Sequence, residues 1–238
     1  MLDTKKNRVL VIIPAFNEAK SIGSVLAEIA GTNPSVDILV IDDGSTDATS
    51  VEVRKLGVSV LRHPFNLGYG SAVQTGYMYA VECGYEYLVQ IDADGQHNPK
   101  DIPKLLKPIL DGELDITMGS RFLDGNSYRP HFARMIGIRI LRALTQLLCN
   151  VRVTDPTTGY QAMNSKVLRL FSGPLFPKDY PDADVLILLV MSKFRFKEVP
   201  VTMFESKGKK SMHGGIVQPI YYMFKMILSM LLTRFRKI

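Results

Sequence analysis

Cysteine is scarce in this chain, and no uninterrupted apolar run reaches the length of a membrane span. The two cysteines, Cys83 and Cys149, form no Cys-x-x-Cys pair, so the sequence indicates neither a disulfide framework nor a zinc site. Residues 1–8 are polar and lack the apolar core of a signal peptide. We therefore expect a reduced, cytoplasmic compartment.

Low-complexity blocks, internal repeats and linkers rich in Pro, Gly or Ser are also missing. A chain of 238 residues, 46% of them hydrophobic, can bury a full core in one domain. The net charge of +6 suits an anionic partner such as a nucleotide diphosphate or a phospholipid. Because no stacking motif or recognition helix accompanies this charge, we expect no nucleic-acid partner.

Short apolar segments alternate with helical patterns along the chain. This alternation predicts an α/β fold with a mostly parallel sheet covered by helices on both faces. The predicted strands are 8–13, 36–41, 58–61, 87–91, 116–119 and 198–202. The predicted helices are 20–30, 48–56, 70–83, 103–110 and 184–192.

Polar side chains follow directly after the strand predicted at 87–91. The segment Asp92-Ala93-Asp94-Gly95-Gln96-His97 brings two carboxylates, an amide and an imidazole to the carboxyl end of that strand. Open α/β sheets bind their ligands at such ends. Asp92 and Asp94 can hold a hard divalent cation, for which Mg²⁺ or Mn²⁺ fits oxygen ligands better than zinc does. The alternative is a polar turn without ligand chemistry.

Two further polar segments, 14–18 and 42–47, each follow a predicted strand and precede a predicted helix. Backbone amides at helix starts point outward and favour anions, which indicates a nucleotide pocket. Asp42 or Asp43 can accept hydrogen bonds from a base or a ribose. The alternative is that the polar side chains of these segments cap the helices.

Four motifs resemble, in order along the chain, those of family 2 glycosyltransferases with the GT-A fold. They are residues 11–18, residues 40–47, residues 66–76 with Gly68, Gly70 and Gly76, and Asp92-Ala93-Asp94. They lie within residues 8–121, and the later half is most similar to polyprenyl-phosphate sugar synthases of the dolichyl-phosphate mannose synthase type.

The resemblance implies metal-dependent, inverting transfer of a sugar from a nucleotide-diphosphate sugar to a polyprenyl phosphate at the cytoplasmic membrane face. A growing lipid-linked or surface glycan is the alternative acceptor. A sugar-nucleotide-binding scaffold without turnover is the alternative from another class.

The resemblance also implies roles for single residues at the donor side. The residues expected to contact the nucleotide are Pro14, Ala15, Asn17, Glu18, Asp43, Gly70, Asp92 and Ala93. Gln96 is expected to join Asp92 and Asp94 around a Mg²⁺ or Mn²⁺ ion that neutralises the leaving diphosphate. Gly68 is expected to supply an unusual backbone angle, and the other glycines to allow close helix packing.

On the acceptor side, Arg121 matches a family arginine near the phosphates. Three lysines of a later loop could clamp a diphosphate or an acceptor phosphate: Lys207, Lys209 and Lys210. Together with Asp94 and Asp184, Arg121 completes the residues predicted to take part in catalysis.

A hydroxyl acceptor would need a general base, for which Asp182 and Asp184 are candidates. Asp184 lies where many relatives have Glu or Asp, and the alternative for it is a helix cap. A phosphate acceptor is already ionised at neutral pH and would need no base.

Two apolar helices raise the question of a membrane. The first spans 132–148 and carries Arg134, Arg139 and Arg142, and the second spans 216–235. Lys225 divides the second helix into apolar pieces shorter than the roughly 18 residues of a span. We expect a catalytic domain at 1–211 and an amphipathic tail at 212–238 on the anionic inner face of the plasma membrane. The alternative is a tail that packs on a partner subunit in a homo-oligomer.

Overall fold

The computed structural model describes residues 8–123, 132–204 and 217–236 of the chain. Its strands are β1 Val9–Ala15, β2 Asp37–Asp42, β3 Ser59–Arg62, β4 Tyr87–Gln90, β5 Ile116–Ser120, β6 Gln161–Asn164 and β7 Phe196–Pro200. Its helices are α1 Ile22–Thr32, α2 Thr49–Lys55, α3 Tyr69–Glu82, α4 Ile102–Leu110, α5 Phe132–Cys149, α6 Ser165–Phe171, α7 Ala183–Met191 and α8 Val217–Phe235. A 3-10 turn, Pro99–Asp101, precedes α4.

These strands form one seven-stranded sheet in the order β3-β2-β1-β4-β6-β5-β7. Only β6 runs against its neighbours β4 and β5, so the mostly parallel sheet predicted from the sequence is confirmed. β6 was not predicted, because its four residues, Gln-Ala-Met-Asn, have neither an apolar run nor a clear alternation. The last strand lies two residues before its predicted position, 198–202.

Side chains of β1 alternate between two apolar layers, one on each face of the sheet. Val11 and Ile13 pack with the helices α1 and α4, whereas Leu10 and Ile12 pack with α3, α6 and α7. The predicted close packing of α3 is confirmed at Gly76, where a Cβ atom would lie 2.8 Å from Ile12 Cδ1. Burial on both faces explains why the strand is apolar at every position.

The tail helix α8 packs on its own chain. A separate apolar cluster joins α5, α7 and α8, and its buried members are Leu141, Ala183, Ile187, Met226 and Met230. Near the start of both helices, a Cβ at Gly137 would lie 3.4 Å from Met223 Sδ. Near their ends, Arg234 Nε donates to the Leu148 carbonyl at 3.0 Å. Helices α5 and α8 therefore run side by side in the same direction.

Candidate active site

The carboxyl ends of three neighbouring strands meet at one edge of the sheet. In the parallel register, Ala15 of β1 lies beside Asp42 of β2, and Ile12 lies beside Gln90 of β4. The loops that follow these strands hold the predicted donor residues and the Asp92-Ala93-Asp94 motif. Within them, Pro14, Ala15 and Ala93 are buried.

Asn17 joins the first two of these loops. Its φ of +56° lies in the left-handed region, and its Oδ1 accepts from Thr46 N at 2.8 Å. The backbone N–H of Asn17 donates to Ser45 Oγ at 2.9 Å, and that of Glu18 donates to Thr49 Oγ1 at 2.8 Å. Asn17 thus holds the two loops together.

Asp43 shapes the turn that leads into α3. Its Oδ1 accepts from Leu67 N at 2.9 Å, and its Oδ2 accepts from Gly68 N at 2.9 Å. His63 Nδ1 lies 2.7 Å from the same Oδ1. Gly68 has a φ of +95°, which confirms the expected unusual backbone angle. The buried neighbour Asp42 organises its own loop by accepting from Ser45 N at 2.8 Å. Nucleotide contact by Asp43 stays a prediction.

Asp92 is held by a tyrosine and supported by a histidine. Tyr69 donates its hydroxyl proton to Asp92 Oδ1 at 3.0 Å and accepts from Gln90 Nε2 at 2.8 Å. The backbone N–H of Asp92 donates to His97 Nδ1 at 3.2 Å, so the neutral ring carries its proton on Nε2. His97 is buried and stacks on Tyr160 with ring centroids 4.8 Å apart.

Asp92 and Asp94 concentrate negative charge in this partly buried place. Burial raises the pKa of both carboxyls, and the charge of Asp92 further raises the pKa of Asp94. The charge of Glu18 acts in the same direction on both, while that of Arg121 lowers the pKa of Asp92. Asp94 Oδ1 also accepts from the backbone N–H of Gln96 at 2.9 Å.

These residues fit a hard divalent cation. Carboxylate and amide oxygens are suitable ligands, and a cation would relieve the repulsion between Asp92 and Asp94. Within the described part of the chain, no three His, Cys, Asp or Glu side chains come together as a complete protein cage. Mg²⁺ commonly takes one or two carboxylates from the protein and its other ligands from substrate phosphates and water.

Two glycines allow close approaches around Tyr69. At Gly159 an added Cβ would lie 2.5 Å from the Tyr69 hydroxyl oxygen and 3.3 Å from Asp92 Oδ1. At Gly70 it would lie 2.2 Å from the carbonyl oxygen of Lys178. Gly159 therefore leaves room for the Tyr69 hydroxyl, and Gly70 lets the start of α3 meet the chain that leads into α7.

Arg121 forms a buried ion pair. Its Nε donates to Asp155 Oδ2 at 2.6 Å and its Nη2 donates to Asp155 Oδ1 at 2.5 Å. Nη2 also donates to Thr157 Oγ1 at 2.8 Å, and the residue is only 4% exposed. Its charge lowers the pKa of Asp92, and its guanidinium anchors the loop at 155–157. Phosphate contact by Arg121 stays a prediction.

Asp184 is the second residue of α7 and is 1% exposed. Its Oδ1 accepts from Val185 N at 2.9 Å, and its Oδ2 accepts from the hydroxyl of Ser229 on α8. Burial raises the pKa of Asp184 to about 7. Asp182 is less buried and accepts from the Tyr222 hydroxyl at 2.5 Å. Burial raises its pKa to about 6, and the charge of Asp92 adds to this effect.

The structure thus brings together the donor loops, Asp92, Asp94 and the Arg121 ion pair. Lys207, Lys209 and Lys210 lie outside the described residues. Three participants were missed by sequence reasoning: Tyr69, Asp155 and Gly159. Tyr69 stands between two of the motif's glycines, and Asp155 and Gly159 stand in one polar segment, but no local pattern shows what these residues contact.

Known glycosyltransferases are similar to this chain in sequence. A family model described as Glycosyl transferase family 2 matches residues 10–171. A polyprenol monophosphomannose synthase of Mycolicibacterium smegmatis is 31% identical over 221 residues, covering 89% of this chain and 83% of that protein. A UDP-N-acetylglucosamine–dolichyl-phosphate N-acetylglucosaminyltransferase of Methanococcus voltae is 30% identical over 212 residues, covering 81% of this chain and 84% of that protein.

Among solved structures, the fold is similar to that of glucosyl-3-phosphoglycerate synthase from Mycobacterium tuberculosis. That enzyme was crystallised with Mn²⁺, uridine-diphosphate-glucose and phosphoglyceric acid. The TM-score is 0.75 over 97% of this chain and 80% of that chain, at 23% identity. This likeness concerns the fold alone, and it confirms the predicted GT-A fold.

Proposed function

Because the chain belongs to glycosyl transferase family 2 and is a glycosyltransferase, we propose that it transfers a sugar from a nucleotide-diphosphate sugar to a polyprenyl phosphate with inversion at the anomeric carbon. The relatives above are named for polyprenyl or dolichyl phosphate acceptors but for different sugars. The acceptor class is therefore proposed, and the sugar is left open.

The observation that carries this proposal is the arrangement of Asp92 at the end of β4. Its carboxylate is fixed by Tyr69 and its backbone by His97, next to Asp94 and beside the two loops joined by Asn17. Such a fixed pair of carboxylates suits a diphosphate that arrives with a divalent cation. The nucleotide would lie against these two loops, whose shape is fixed by their own hydrogen bonds.

Asp92, Asp94 and the side-chain oxygen of Gln96 would hold Mg²⁺ or Mn²⁺. When bound, the cation neutralises charge on the departing nucleotide diphosphate. Tyr69 orients the Asp92 carboxylate, and a neutral His97 accepts the hydrogen bond from the Asp92 backbone. Burial lowers the pKa of His97 to about 4, which supports a neutral ring at physiological pH.

The contacts of Asp184 argue against this residue as the general base of a hydroxyl acceptor. Its two oxygens already accept from the start of α7 and from Ser229, and the side chain is almost fully buried. A general base must reach the proton that it removes, within about 3 Å or through one water. A phosphate needs no base, so this burial is compatible with phosphate attack.

A membrane surface suits the lipid acceptor. None of the helices within the described ranges has the length and apolarity to cross a membrane. Helix α8 instead exposes large apolar side chains along one face: Tyr221, Phe224, Leu228, Leu232 and Phe235. Arg234 and Arg236 are exposed near its end and could meet anionic headgroups on the cytoplasmic side.

Transfer assays on two carboxylate variants test the proposed function. Asp92→Asn and Asp94→Asn should keep the fold and lose about a hundredfold or more of sugar transfer to a short polyprenyl phosphate, because each removes charge from the cation site. Both should also lose the Mn²⁺ dependence of nucleotide binding in calorimetry. Asp111→Asn is the matched control, since this carboxylate is exposed and pairs with Lys107 at 2.6 Å on the surface.

Wild-type turnover by both variants in metal-free buffer would contradict the metal-assisted reaction. Transfer to a saccharide acceptor, with none to polyprenyl phosphate, would contradict the acceptor class and favour glycan extension. Binding of the nucleotide sugar without transfer or hydrolysis would indicate a sugar-nucleotide-binding scaffold without turnover.

A further inference from the structure

Helix α8 contacts an acidic segment, residues 179–184, that leads into and begins α7. Each contact joins a hydroxyl or ammonium group of α8 to one carboxylate of the segment. The pairs are Tyr222 with Asp182 at 2.5 Å, Lys225 with Asp179 at 2.7 Å, and Ser229 with Asp184. These carboxylates are therefore oriented by a helix that lies far from them in the sequence.

The residue that precedes the acidic segment contacts the candidate active site. The carbonyl of Lys178 packs directly against Gly70, so that not even a Cβ atom fits between them. The adjacent Tyr69 donates to Asp92. Asp182 follows Lys178 by four residues, in the stretch of chain that leads from this contact into α7.

Asp182 differs from Asp184 in what it can reach. Asp184 is almost completely buried between α7 and α8, whereas Asp182 keeps partial exposure beside the site. An ionised carboxylate only accepts hydrogen bonds, and it repels phosphate groups. Within the substrates of the proposed reaction, both the ribose and the transferred sugar carry hydroxyl donors. The ribose is expected at the loop of Asp43, so the matching part for Asp182 is the transferred sugar.

We propose that Asp182 binds hydroxyl groups of the donor sugar and that Tyr222 is the positioning residue that fixes the Asp182 carboxylate for this contact. This inference rests on the proposed function, since it assumes a nucleotide-sugar donor at Asp92 and Asp94. It gives α8 a part in donor selection besides its packing on α5 and α7. The Tyr222 hydroxyl acts through Asp182 and need not touch the substrate.

Comparing the binding of a nucleotide with that of its sugar conjugate tests the inference. With Mn²⁺ present, calorimetry compares GDP with GDP-mannose, and UDP with UDP-glucose and UDP-N-acetylglucosamine. For the conjugate that the wild type binds most tightly, Asp182→Asn should weaken binding about tenfold or more and Tyr222→Phe about fivefold, since each removes or misplaces a hydrogen bond to a charged group. Binding of the nucleotide alone should change less than about twofold.

The control is Tyr221→Phe, the same substitution at the neighbouring position, where the ring is exposed beside Lys225. It should leave both affinities unchanged. Tyr222→Phe keeps the ring that packs edge-on against Tyr180 with centroids 5.1 Å apart, so its melting temperature should stay close to that of the wild type. In the double variant, Tyr222→Phe should add little to Asp182→Asn, because the carboxylate that it positions is gone.

Equal weakening of nucleotide and sugar nucleotide would overturn the inference, because it would show general damage to the site. So would additive effects in the double variant, or a wild type that binds the sugar nucleotide no better than the nucleotide. The measurement contains no acceptor. A protein that failed to use polyprenyl phosphate would refute the proposed acceptor and leave this comparison valid.

Discussion

At the scale of the residue, Gly159 is predicted to be indispensable for the geometry of Asp92. A methyl group there would collide with the Tyr69 hydroxyl and approach the carboxylate of Asp92. Gly159→Ala should therefore displace Tyr69 and reduce sugar transfer by about tenfold or more, since small misplacements of catalytic groups are costly. Transfer assays and a crystal structure of the variant would check both expectations.

Gly23→Ala is the matched control for that substitution. A Cβ atom at Gly23 meets nothing within 4 Å, and the residue lies inside helix α1. Alanine there should leave transfer unchanged and should not lower the stability of the fold, because glycine is the less favourable residue in a helix. Full activity of Gly159→Ala would show that Tyr69 can move without consequence.

The candidate site could be predicted from the sequence where function follows a local pattern. Asp92 and Asp94 follow the end of a strand and stand in one motif, so their meeting place was predictable. The ion pair of Arg121 with Asp155 was not, because the two residues are 34 positions apart and each is an ordinary polar residue in its own segment. Long-range partners of this kind leave no periodic signal in a single sequence.

At the scale of the element, Asp184 is predicted to make the start of α7 sensitive to pH. Burial raises its pKa from an ordinary value near 4 to about 7 in the folded chain. Between these pH values the unfolded chain has released the proton and the folded chain still holds it, so folding loses stability as pH rises from about 4 to about 7. Asp184→Asn lacks this titration. The free energy of unfolding of the variant, relative to that of the wild type, should therefore increase between about pH 4 and pH 7, by at most about 4 kcal/mol.

Urea unfolding of both proteins at several pH values measures that difference. Asp182, whose pKa burial raises to about 6, titrates in both proteins, so the comparison isolates Asp184. A difference that stays flat with pH would contradict the assignment. With a phosphate acceptor, Asp184→Asn should keep transfer within about tenfold of the wild type, whereas a loss above about a hundredfold would identify a general base.

Most helices and parallel strands were predictable because their apolar patterns are local. β6 was not, since its pairing with β4 and β5 depends on where the sheet places it. The tail helix was predicted within one residue at its start and at its end, as 216–235 against Val217–Phe235. Its packing on α5 and α7 was not foreseen, because an amphipathic pattern does not say which surface covers the apolar side.

At the scale of the whole molecule, α5 and α8 present a common apolar surface. They lie side by side with Leu141, Met226 and Met230 buried toward α7. Their outer faces expose Ile140 and Leu147 on α5 and the row from Tyr221 to Phe235 on α8. Deleting α8 would therefore uncover α7 and leave Asp184 without Ser229. Substitutions on the outer face test membrane contact without that damage.

The last prediction is that this surface binds anionic bilayers. Phe224 and Leu232, each 64% exposed, would enter the interface, while Arg234 and Arg236 would each add about 1 kcal/mol near anionic lipid. Phe224→Ser with Leu232→Ser should abolish sedimentation with phosphatidylglycerol vesicles and spare transfer to a short, water-soluble polyprenyl phosphate. Met78→Ser, at a residue 54% exposed on α3, should change neither.

High salt should release much of the wild type, because screening weakens the charge contribution. A wild type that ignores anionic vesicles at low salt would refute the surface, and a dimer that persists in their presence and covers α8 would assign this face to a second copy of the chain.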